Sequence, residues 1–559
     1  MLPNQWSQGQ LFAFSGLDGE NPMTADVPAI LCGDKIGVKL YANTVQELWM
    51  SRPAHVKPVA DAVCGDFFTM PTAAGTMMMV YLKPRLVAGQ TVNGGAVCFA
   101  VEGPYDRTVE GGLELYDTKN GQFTALLKEG DRFALAIGET AAEAASLAAE
   151  GLTADLDQVV AARKEWVDRR TLPDGAPYAA LSAKCISTMK TQIYTPEGQI
   201  KHRWSTPDRL PHRKMWFWDS IFHAIGWRHL DAPLAEELLL AMIDVQTQEG
   251  MFPLDATPDH TNETTQPPVL AWGALKVYEK TQNKGSLQTV FEANKRYLAW
   301  LDQNRRDTEL PLYTWLTEED INCRCGESGM DNSPRFDTHH RLFAIDLSCF
   351  IANEQRMMAK IAEILGLPEE RDAFTARFER TKAAINAVLW DEKDQFYYDW
   401  DQETRAHHKV RAVSSFLPLF AGVCDENQAK ALVACLNDPE DFSTEFPIPS
   451  ISKKDATYGS DMWRGPVWIN YNYMIREGLA AYGETVPADR IRNRTVEVLD
   501  QWSELYATVF EFYDCENRTP PPKLYRKGVA VEPYNFRNRP QAIRDFGWSN
   551  TLLLDLLME

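Results

Sequence analysis

The chain has 559 residues, 45% of them hydrophobic and 24% charged, which is typical of a folded protein with a large core. Its formal net charge of -21 at pH 7 disfavours binding to nucleic-acid phosphates or anionic membranes. No apolar run reaches the roughly 18 to 20 residues of a membrane span, and the first residues lack the pattern of a signal peptide. We therefore expect a cytoplasmic protein that binds neither nucleic acid nor membrane.

Ten cysteines are spread along the chain, mostly in apolar surroundings such as those of Cys64 and Cys98. This placement is typical of reduced, buried thiols and not of a disulfide framework. Cys323 and Cys325 form one close pair, but no second Cys or His pair lies at the spacing of metal ligands. We expect neither a metal nor a cofactor.

Residues 1–135 contain short runs rich in β-formers, such as 36–41 and 76–82, separated by turn residues. They predict an N-terminal antiparallel β domain of the β-sandwich type. Residues 139–170 are rich in alanine and place leucine and valine at helical spacing, which predicts a long linker helix within residues 136–174. A Pro-Asp-Gly-Ala-Pro cluster then marks a domain boundary.

Helical patterns recur from residue 175 to residue 559, and strand patterns are scarce. Amphipathic segments end near Gly, Pro or Asp clusters and cover residues 235–249, 268–281, 288–305, 354–365, 368–389, 427–436, 466–482 and 488–505. About a dozen helices of this length suit helix pairs arranged around a common centre. The predicted fold is therefore mainly α, an (α/α)6 barrel preceded by the β domain and the linker helix.

The first segment that suggests chemistry runs from Arg213 to His223 and contains Trp218 and Asp219. Indole faces stack on the C–H faces of sugar rings, and a carboxylate can accept hydrogen bonds from two adjacent hydroxyls. We predict that Trp218, Asp219 and Arg213 contact a sugar, and that the other aromatic residues of the segment, including Trp216, belong to the core.

A loop from residue 250 to residue 268 leads into a predicted helix and carries Gln266. Its amide could bond a sugar hydroxyl or cap the start of a helix, and both roles are open.

Two acidic segments provide a carboxylate pair. Asp331 lies in the segment from Glu327 to Arg335, which opens with a Glu-Ser-Gly-Met-Asp run, and Glu511 begins a Glu-Phe-Tyr-Asp run. We expect Arg335 to contact substrate hydroxyls or to orient a carboxylate. Such a pair can divide the work of glycoside hydrolysis between a protonated acid and an ionised base. A loop aspartate in an Asx-turn is the alternative for Asp331, and an ordinary surface glutamate is the alternative for Glu511.

The string Trp-Arg-Gly-Pro-Val-Trp at residues 463–468 is the most distinctive in the chain, and Phe-Gly-Trp-Ser-Asn at 546–550 precedes the C-terminus. Trp463, Arg464 and Trp548 are candidates for the wall of a binding pocket.

These blocks resemble the α/α-barrel inverting glycosidases of families 63 and 37, and the resemblance covers residues 175–559. It implies that Asp331 is the general acid and Glu511 the general base, with Trp218 and Asp219 around the terminal sugar ring. The sequence departs from the trehalase pattern at Met330, where an aromatic residue is usual. It also lacks the glycine-rich passage of trehalases between residues 515 and 545.

The resemblance implies an exo-acting, inverting hydrolase of α-glycosidic bonds. We expect α-glucosides as substrates, in the form of disaccharides, oligosaccharides or small glycosides such as those of glycerate, and the missing glycine-rich passage disfavours trehalose. An unsaturated-uronide hydrolase or lyase is an alternative, because Arg213, Arg335 and Arg464 could bind a uronide carboxylate. A non-catalytic carbohydrate-binding protein is another. In each case the expected partner is a small carbohydrate, and the sequence does not indicate an oligomeric state.

Overall fold

The computed structural model describes residues 4–5, 11–24, 29–31, 36–41, 44–51, 59–60, 65–209, 212–320, 323–338, 341–527 and 542–559. Fourteen strands in these ranges, all paired antiparallel, precede the first helix. They are β1 (Asn4–Gln5), β2 (Leu11–Phe12), β3 (Ala29–Leu31), β4 (Ile36–Tyr41), β5 (Val45–Met50), β6 (Val59–Ala60), β7 (Phe67–Thr72), β8 (Gly75–Lys83), β9 (Leu86–Gln90), β10 (Val97–Val101), β11 (Asp106–Glu110), β12 (Leu113–Asp117), β13 (Phe123–Glu129) and β14 (Arg132–Gly138).

Two sheets and one strand pair, β1 with β6, make up this β region. One sheet has five strands in the order β10-β5-β4-β3-β2, and the other has seven in the order β11-β12-β13-β14-β9-β8-β7. Buried and partly exposed side chains alternate along β5, as expected for a strand with one face on the core. The two sheets face each other, because buried Thr124 on β13 donates a hydrogen bond to Gln46 on β5 at 2.9 Å. The predicted antiparallel β region is confirmed.

Two helices, α1 (Ala141–Thr153) and α2 (Leu156–Asp168), follow where a single long helix was predicted. The break lies at Ala154 and Asp155. The Asp155 side chain accepts a hydrogen bond from the Gln158 amide and so caps a new helix, which ends the continuous one. α1 packs against the seven-stranded sheet.

Twelve further helices of the described chain extend to the C-terminus. They are α3 (Ala179–Thr191), α4 (Phe217–Trp227), α5 (Ala232–Asp244), α6 (Leu270–Thr281), α7 (Lys284–Asn304), α8 (Ile345–Leu365), α9 (Pro368–Val388), α10 (Leu417–Ala421), α11 (Glu426–Asn437), α12 (Ile469–Ala481), α13 (Thr485–Tyr506) and α14 (Gly547–Met558). Short strand pairs lie in the loops between them, including β15 (Ile193–Tyr194) with β16 (Trp204–Ser205) and β17 (Met215–Trp216) with β18 (Asp255–Ala256).

The even-numbered helices from α4 to α14 contact one another in succession, and α14 contacts α4, which closes a ring of six. The odd-numbered helices α3 to α13 lie outside this ring, each preceding one inner helix in the chain. This is the predicted (α/α)6 barrel. Because inner and outer helices alternate, all six inner helices begin at the same end of the barrel, and their first turns and preceding loops meet there.

The β region and the barrel are joined next to that end. The Leu11 amide of β2 donates to Asp545 Oδ2 at 2.7 Å, and Lys184 of α3 lies 3.0 Å from the same carboxylate. Buried Arg209 donates to the Phe14 carbonyl. The loop before α14 is therefore held by both parts of the chain.

Within the ranges described above, no helix combines the length and apolar character needed to span a bilayer.

Candidate active site

A cavity of about 410 Å³ opens at the end of the barrel where the inner helices begin, which is a volume suited to a small molecule. Its lining combines acidic, basic and aromatic side chains from the loops and first turns of several helices. The lining residues are Pro207, His212, Trp216, Trp218, Asp219, Leu254, Asp255, Asn262, Thr264, Gln266, Glu318, Cys323, Gly326, Gly329, Asp331, Met462, Trp468, Glu511, Arg526, Lys527, Phe546 and Trp548.

The first turn of α4 places Trp218 and Asp219 in this lining. Gln266, in the loop before α6, accepts a hydrogen bond from the Trp218 amide through Oε1 at 3.2 Å. It thus caps α4, although the sequence suggested a cap on the helix that follows it. Its backbone carbonyl accepts from the Tyr297 hydroxyl at 2.9 Å. The glutamine is therefore held against α4 while its side chain borders the cavity.

Asp219 is almost completely buried, and its Oδ1 has no hydrogen-bond partner among the described residues. Burial raises the pKa of Asp219 well above the ordinary range, and the nearby Asp208 and Glu511 carboxylates add to that effect. A protonated carboxyl group can both donate hydrogen bonds to hydroxyl groups and accept hydrogen bonds from them.

Aromatic residues form one wall. Trp548, in the first turn of α14, lies edge-on to Trp218 with ring centroids 5.2 Å apart. Trp468, which precedes α12, lies 5.9 Å from Trp548. Trp463 does not reach the lining. It stacks face to face on Trp468 at 3.9 Å and supports that ring from behind.

Glu511 lies at the inner edge of the cavity, where its carboxylate is nearly fully buried. Arg526 contacts it with both ends of its guanidinium, Nε to Oε2 at 2.9 Å and a terminal nitrogen to Oε1 at 3.1 Å. The Ile543 amide donates to Oε2 at 3.2 Å. Three donors therefore fix the orientation of this carboxylate.

Asp331 lies between two short 3-10 turns, Gly326–Ser328 and Pro334–Phe336, and its side chain is about one-fifth exposed. The ammonium of Lys527 lies 2.7 Å from its Oδ2. Since Arg526 and Lys527 are consecutive, the two candidate catalytic carboxylates face the same short piece of chain.

Three buried polar atoms in the lining have no partner among the described residues: Nε1 of Trp216, Nε1 of Trp548 and Oδ1 of Asp219. Buried polar groups are nearly always hydrogen-bonded, so each such atom calls for an explanation. Two donors and a carboxyl oxygen around one cavity match the hydroxyl groups of a sugar.

The three arginines predicted to contact substrate lie outside the lining. Arg335 is buried and paired with two carboxylates, Asp346 at 2.5 Å and Asp399 at 2.7 Å, which raise its pKa well above the ordinary value despite burial. Arg464 is paired with Asp337. Arg213 donates to the Met23 carbonyl of the β region.

Other lining residues were not singled out from the sequence. Trp216 was assigned to the core, but the β17–β18 pairing turns it to the cavity next to Asp255. Arg526 and Lys527 belong to the passage where trehalases are rich in glycine, and that difference was the available signal. Residues 528–541 of the same passage lie outside the described residues.

The close cysteine pair is divided between two environments. Cys323 borders the cavity, and burial together with the nearby Asp331 raises its pKa to about 12. Cys325 is buried, with its sulfur near the Leu316 carbonyl. Across the described part of the chain, no three His, Cys, Asp or Glu side chains are grouped to hold a metal.

The barrel and the paired carboxylates in an aromatic cavity define a class, the (α/α)6-barrel glycoside hydrolases. The profile of the family "Mannosylglycerate hydrolase MGH1-like glycoside hydrolase domain" matches residues 212–549, more than half of the chain. The chain belongs to this family.

Individual relatives agree with that assignment. The mannosylglycerate hydrolase of Rubrobacter radiotolerans is 26% identical over 442 residues, which cover 63% of this chain and 92% of the relative. A mannosyl-oligosaccharide glucosidase of Saccharomyces cerevisiae is 27% identical over 188 residues, 32% of this chain and 22% of the relative. Among solved structures, a family 63 mannosylglycerate hydrolase from Thermus thermophilus in complex with glucose has the same fold. Its TM-score is 0.55 at 22% identity, covering 68% of this chain and all of that one.

Proposed function

We propose that this chain is an inverting, exo-acting hydrolase of small α-glycosides, with Asp331 as the general acid and Glu511 as the general base. The observation that carries the proposal is the pair of carboxylates at one cavity whose wall also offers unpaired polar atoms and indole rings.

In this reaction Asp331 gives a proton to the glycosidic oxygen, and the leaving group departs as an alcohol. Glu511 takes a proton from the water that attacks the opposite face of the anomeric carbon. The contacts from Arg526 and the Ile543 amide hold the Glu511 carboxylate in one orientation, as a base that must aim at a single water requires. Trp218, Asp219, Trp216 and Trp548 hold the sugar.

The relatives suggest candidates for the sugar and for the leaving group. The sequence motifs favour α-glucosides, and the relative from Saccharomyces cerevisiae is a glucosidase. The relative from Rubrobacter radiotolerans is a mannosylglycerate hydrolase. We propose an α-glucoside or an α-mannoside of a small alcohol or hydroxy acid, since a cavity of about 410 Å³ is small for a long glycan.

A screen decides the substrate and tests the two carboxylates together. Nitrophenyl α-glucoside and α-mannoside, α-linked disaccharides, and glucosyl- and mannosylglycerate are offered to the wild type, and to Asp331→Asn and Glu511→Gln. We expect turnover of at least one α-glycoside by the wild type and a loss of at least roughly a thousandfold in each variant. Full activity in either folded variant would contradict the assigned roles.

The unsaturated-uronide alternative rested on Arg213, Arg335 and Arg464, and these three contact protein groups outside the lining. Loss of ultraviolet absorbance from an unsaturated uronide would restore it. Sugar binding by calorimetry without any product would instead favour a non-catalytic carbohydrate-binding protein. The cytoplasmic location stays a prediction.

A further inference from the structure

Two consecutive cations, Arg526 and Lys527, each hold one of the two candidate catalytic carboxylates. Arg526 makes a two-point contact with Glu511, and Lys527 makes a single contact with Asp331 at 2.7 Å. Among the described carboxylates, Asp331 is the one within ion-pair distance of Lys527. The arginine side chain is nearly fully buried, whereas the lysine is about 29% exposed. The contact of Arg526 is therefore more enclosed than that of Lys527, and it is made at two points where the lysine makes one.

The backbone holds this pair in place. Tyr525 bridges to Asp461 in parallel pairing, and its carbonyl accepts from the Met462 amide at 3.2 Å. Lys527 then adopts a left-handed backbone conformation with φ of 57°, a strained state for a lysine. This stretch of backbone brings Lys527 to the cavity, where its ammonium pairs with Asp331.

The protonation state that the contact favours is the opposite of the one catalysis needs. Burial lowers the pKa of Lys527, but the Asp331 carboxylate outweighs burial, so that the pKa is raised and the lysine keeps its charge. An ammonium beside a carboxylate stabilises its ionised form. A general acid has to carry a proton, so the ion pair has to open before Asp331 can act.

We propose that Lys527 is an exchangeable counter-ion of Asp331, which leaves the acid for an anionic group on the leaving group when substrate enters the cavity. The proposal rests on the proposed function. The general acid protonates the leaving-group oxygen, so its neighbours lie on the leaving-group side of the cavity. Lys527 is therefore a specificity-determining residue for leaving groups that carry a carboxylate next to the glycosidic oxygen.

The protons balance around this exchange. When the ammonium moves to the substrate carboxylate, Asp331 takes a proton from solvent and then gives it to the glycosidic oxygen. Glu511 gains a proton from the attacking water and returns it to solvent after the products leave. Asp331 ends the cycle ionised, which allows Lys527 to pair with it again.

Other charged and titratable groups face these two sites. Around Asp331 and Lys527 they are Cys323, Arg526, Glu318 and Asp320. Around Glu511 and Arg526 they are Asp208, Asp219 and Asp331. Of these groups only Arg526 is a cation. Among the described residues, Lys527 is the one cation within ion-pair distance of Asp331, so replacing it removes that contact.

Lys527→Met tests the specificity. The substrates are the glyceric acid and the glycerol α-glycosides of whichever sugar the wild type accepts, which differ by one carboxylate. We expect the wild type to prefer the glycerate, and the variant to lose at least about tenfold of that preference in kcat/KM. Lys523→Met is the matched control, because Lys523 lies on the same loop, exposed and outside the lining, and should keep the preference. Lys527→Arg should retain part of it.

The split of the effect between KM and kcat separates a substrate-binding role of Lys527 from a general structural one. Lys527→Met should raise KM for the glycerate glycoside and leave KM for the glycerol glycoside within about twofold, because only the first carries the carboxylate that the ammonium binds.

A failure of this inference and a failure of the proposed function give different results. If the wild type hydrolyses no α-glycoside of the screen, the proposed function fails. If it hydrolyses one but shows no preference for the glycerate glycoside, or if folded Lys527→Met keeps the wild-type preference within about twofold, Lys527 has no such role and this inference alone is overturned. Circular dichroism establishes the folding of each variant.

Discussion

Single polar atoms in the cavity wall are suited to binding the hydroxyl groups of a sugar. Trp548 Nε1 lies in the cavity wall without a partner among the described residues, and Oδ1 of Asp219, in the same lining, also lacks one. Leaving a buried donor unpaired costs roughly 1 to 3 kcal/mol, a cost that a bound hydroxyl can remove. The cavity therefore offers unpaired polar atoms, which suit hydroxyl groups, together with aromatic faces, which suit a sugar ring.

Trp548→Phe should lower kcat/KM by about five- to tenfold, because an aromatic face is kept while the N–H is lost with the five-membered ring of the indole. Steady-state kinetics on the preferred substrate measure the effect. Trp227→Phe is the matched control: Trp227 also has an unpartnered Nε1 among the described residues, but it is fully buried outside the lining. Equal effects of the two substitutions would show that the N–H of Trp548 does not bind substrate.

At the scale of elements, the barrel depends on contacts between inner helices. Glu354 of α8 is fully buried and accepts hydrogen bonds from the Ala271 and Trp272 amides, at 2.8 and 3.1 Å, in the first turn of α6. Asn294 of α7 donates to it at 2.7 Å. One carboxyl group therefore joins three helices and satisfies the amides that begin α6, directly after the loop that carries Gln266.

Glu354 predicts a pH dependence of stability. Burial outweighs these hydrogen bonds and raises the pKa of Glu354 to about 7, above the value of an unfolded chain. The folded state then binds the proton more tightly, so the stability contribution is complete below the unfolded pKa and falls as pH rises to about 7, by about 1.4 kcal/mol per unit of pKa difference.

Thermal unfolding of the wild type and Glu354→Gln at pH 5, 6, 7 and 8 measures this. The variant cannot ionise at the site, so its melting temperature should fall less between pH 5 and pH 8 than that of the wild type. Glu363→Gln, on the exposed side of the same helix, should keep the wild-type slope. An unchanged slope in Glu354→Gln would show that its ionisation does not control stability.

The helices differ in how far the sequence predicts them. For the outer helix α9 the prediction of 368–389 and the observed Pro368–Val388 agree, because one face is exposed and the amphipathic period is visible. The inner helix α8 was predicted from residue 354 and begins at Ile345. Every residue from Ile345 to Gln355 is buried, so the first half of α8 shows no amphipathic period in the sequence. α10 has five residues, too few for a pattern.

For the whole molecule, the fold class followed from the number and spacing of amphipathic segments. Six of the ten predicted site residues reach the cavity: Trp218, Asp219, Gln266, Asp331, Glu511 and Trp548. The contacts of Arg526 and Lys527 could not be predicted, because they depend on Tyr525 pairing with Asp461, more than sixty residues earlier in the chain. Local motifs indicate candidate site residues, but long-range pairing decides what surrounds them.

The central claim is that Asp331 and Glu511 hydrolyse an α-glycoside by direct displacement with water. Proton NMR of the anomeric signal during the first minutes of hydrolysis of the preferred α-glycoside tests it most directly. We expect the β-anomer of the free sugar to accumulate first and then to mutarotate. Initial release of the α-anomer would show retention through a covalent intermediate and would contradict this account.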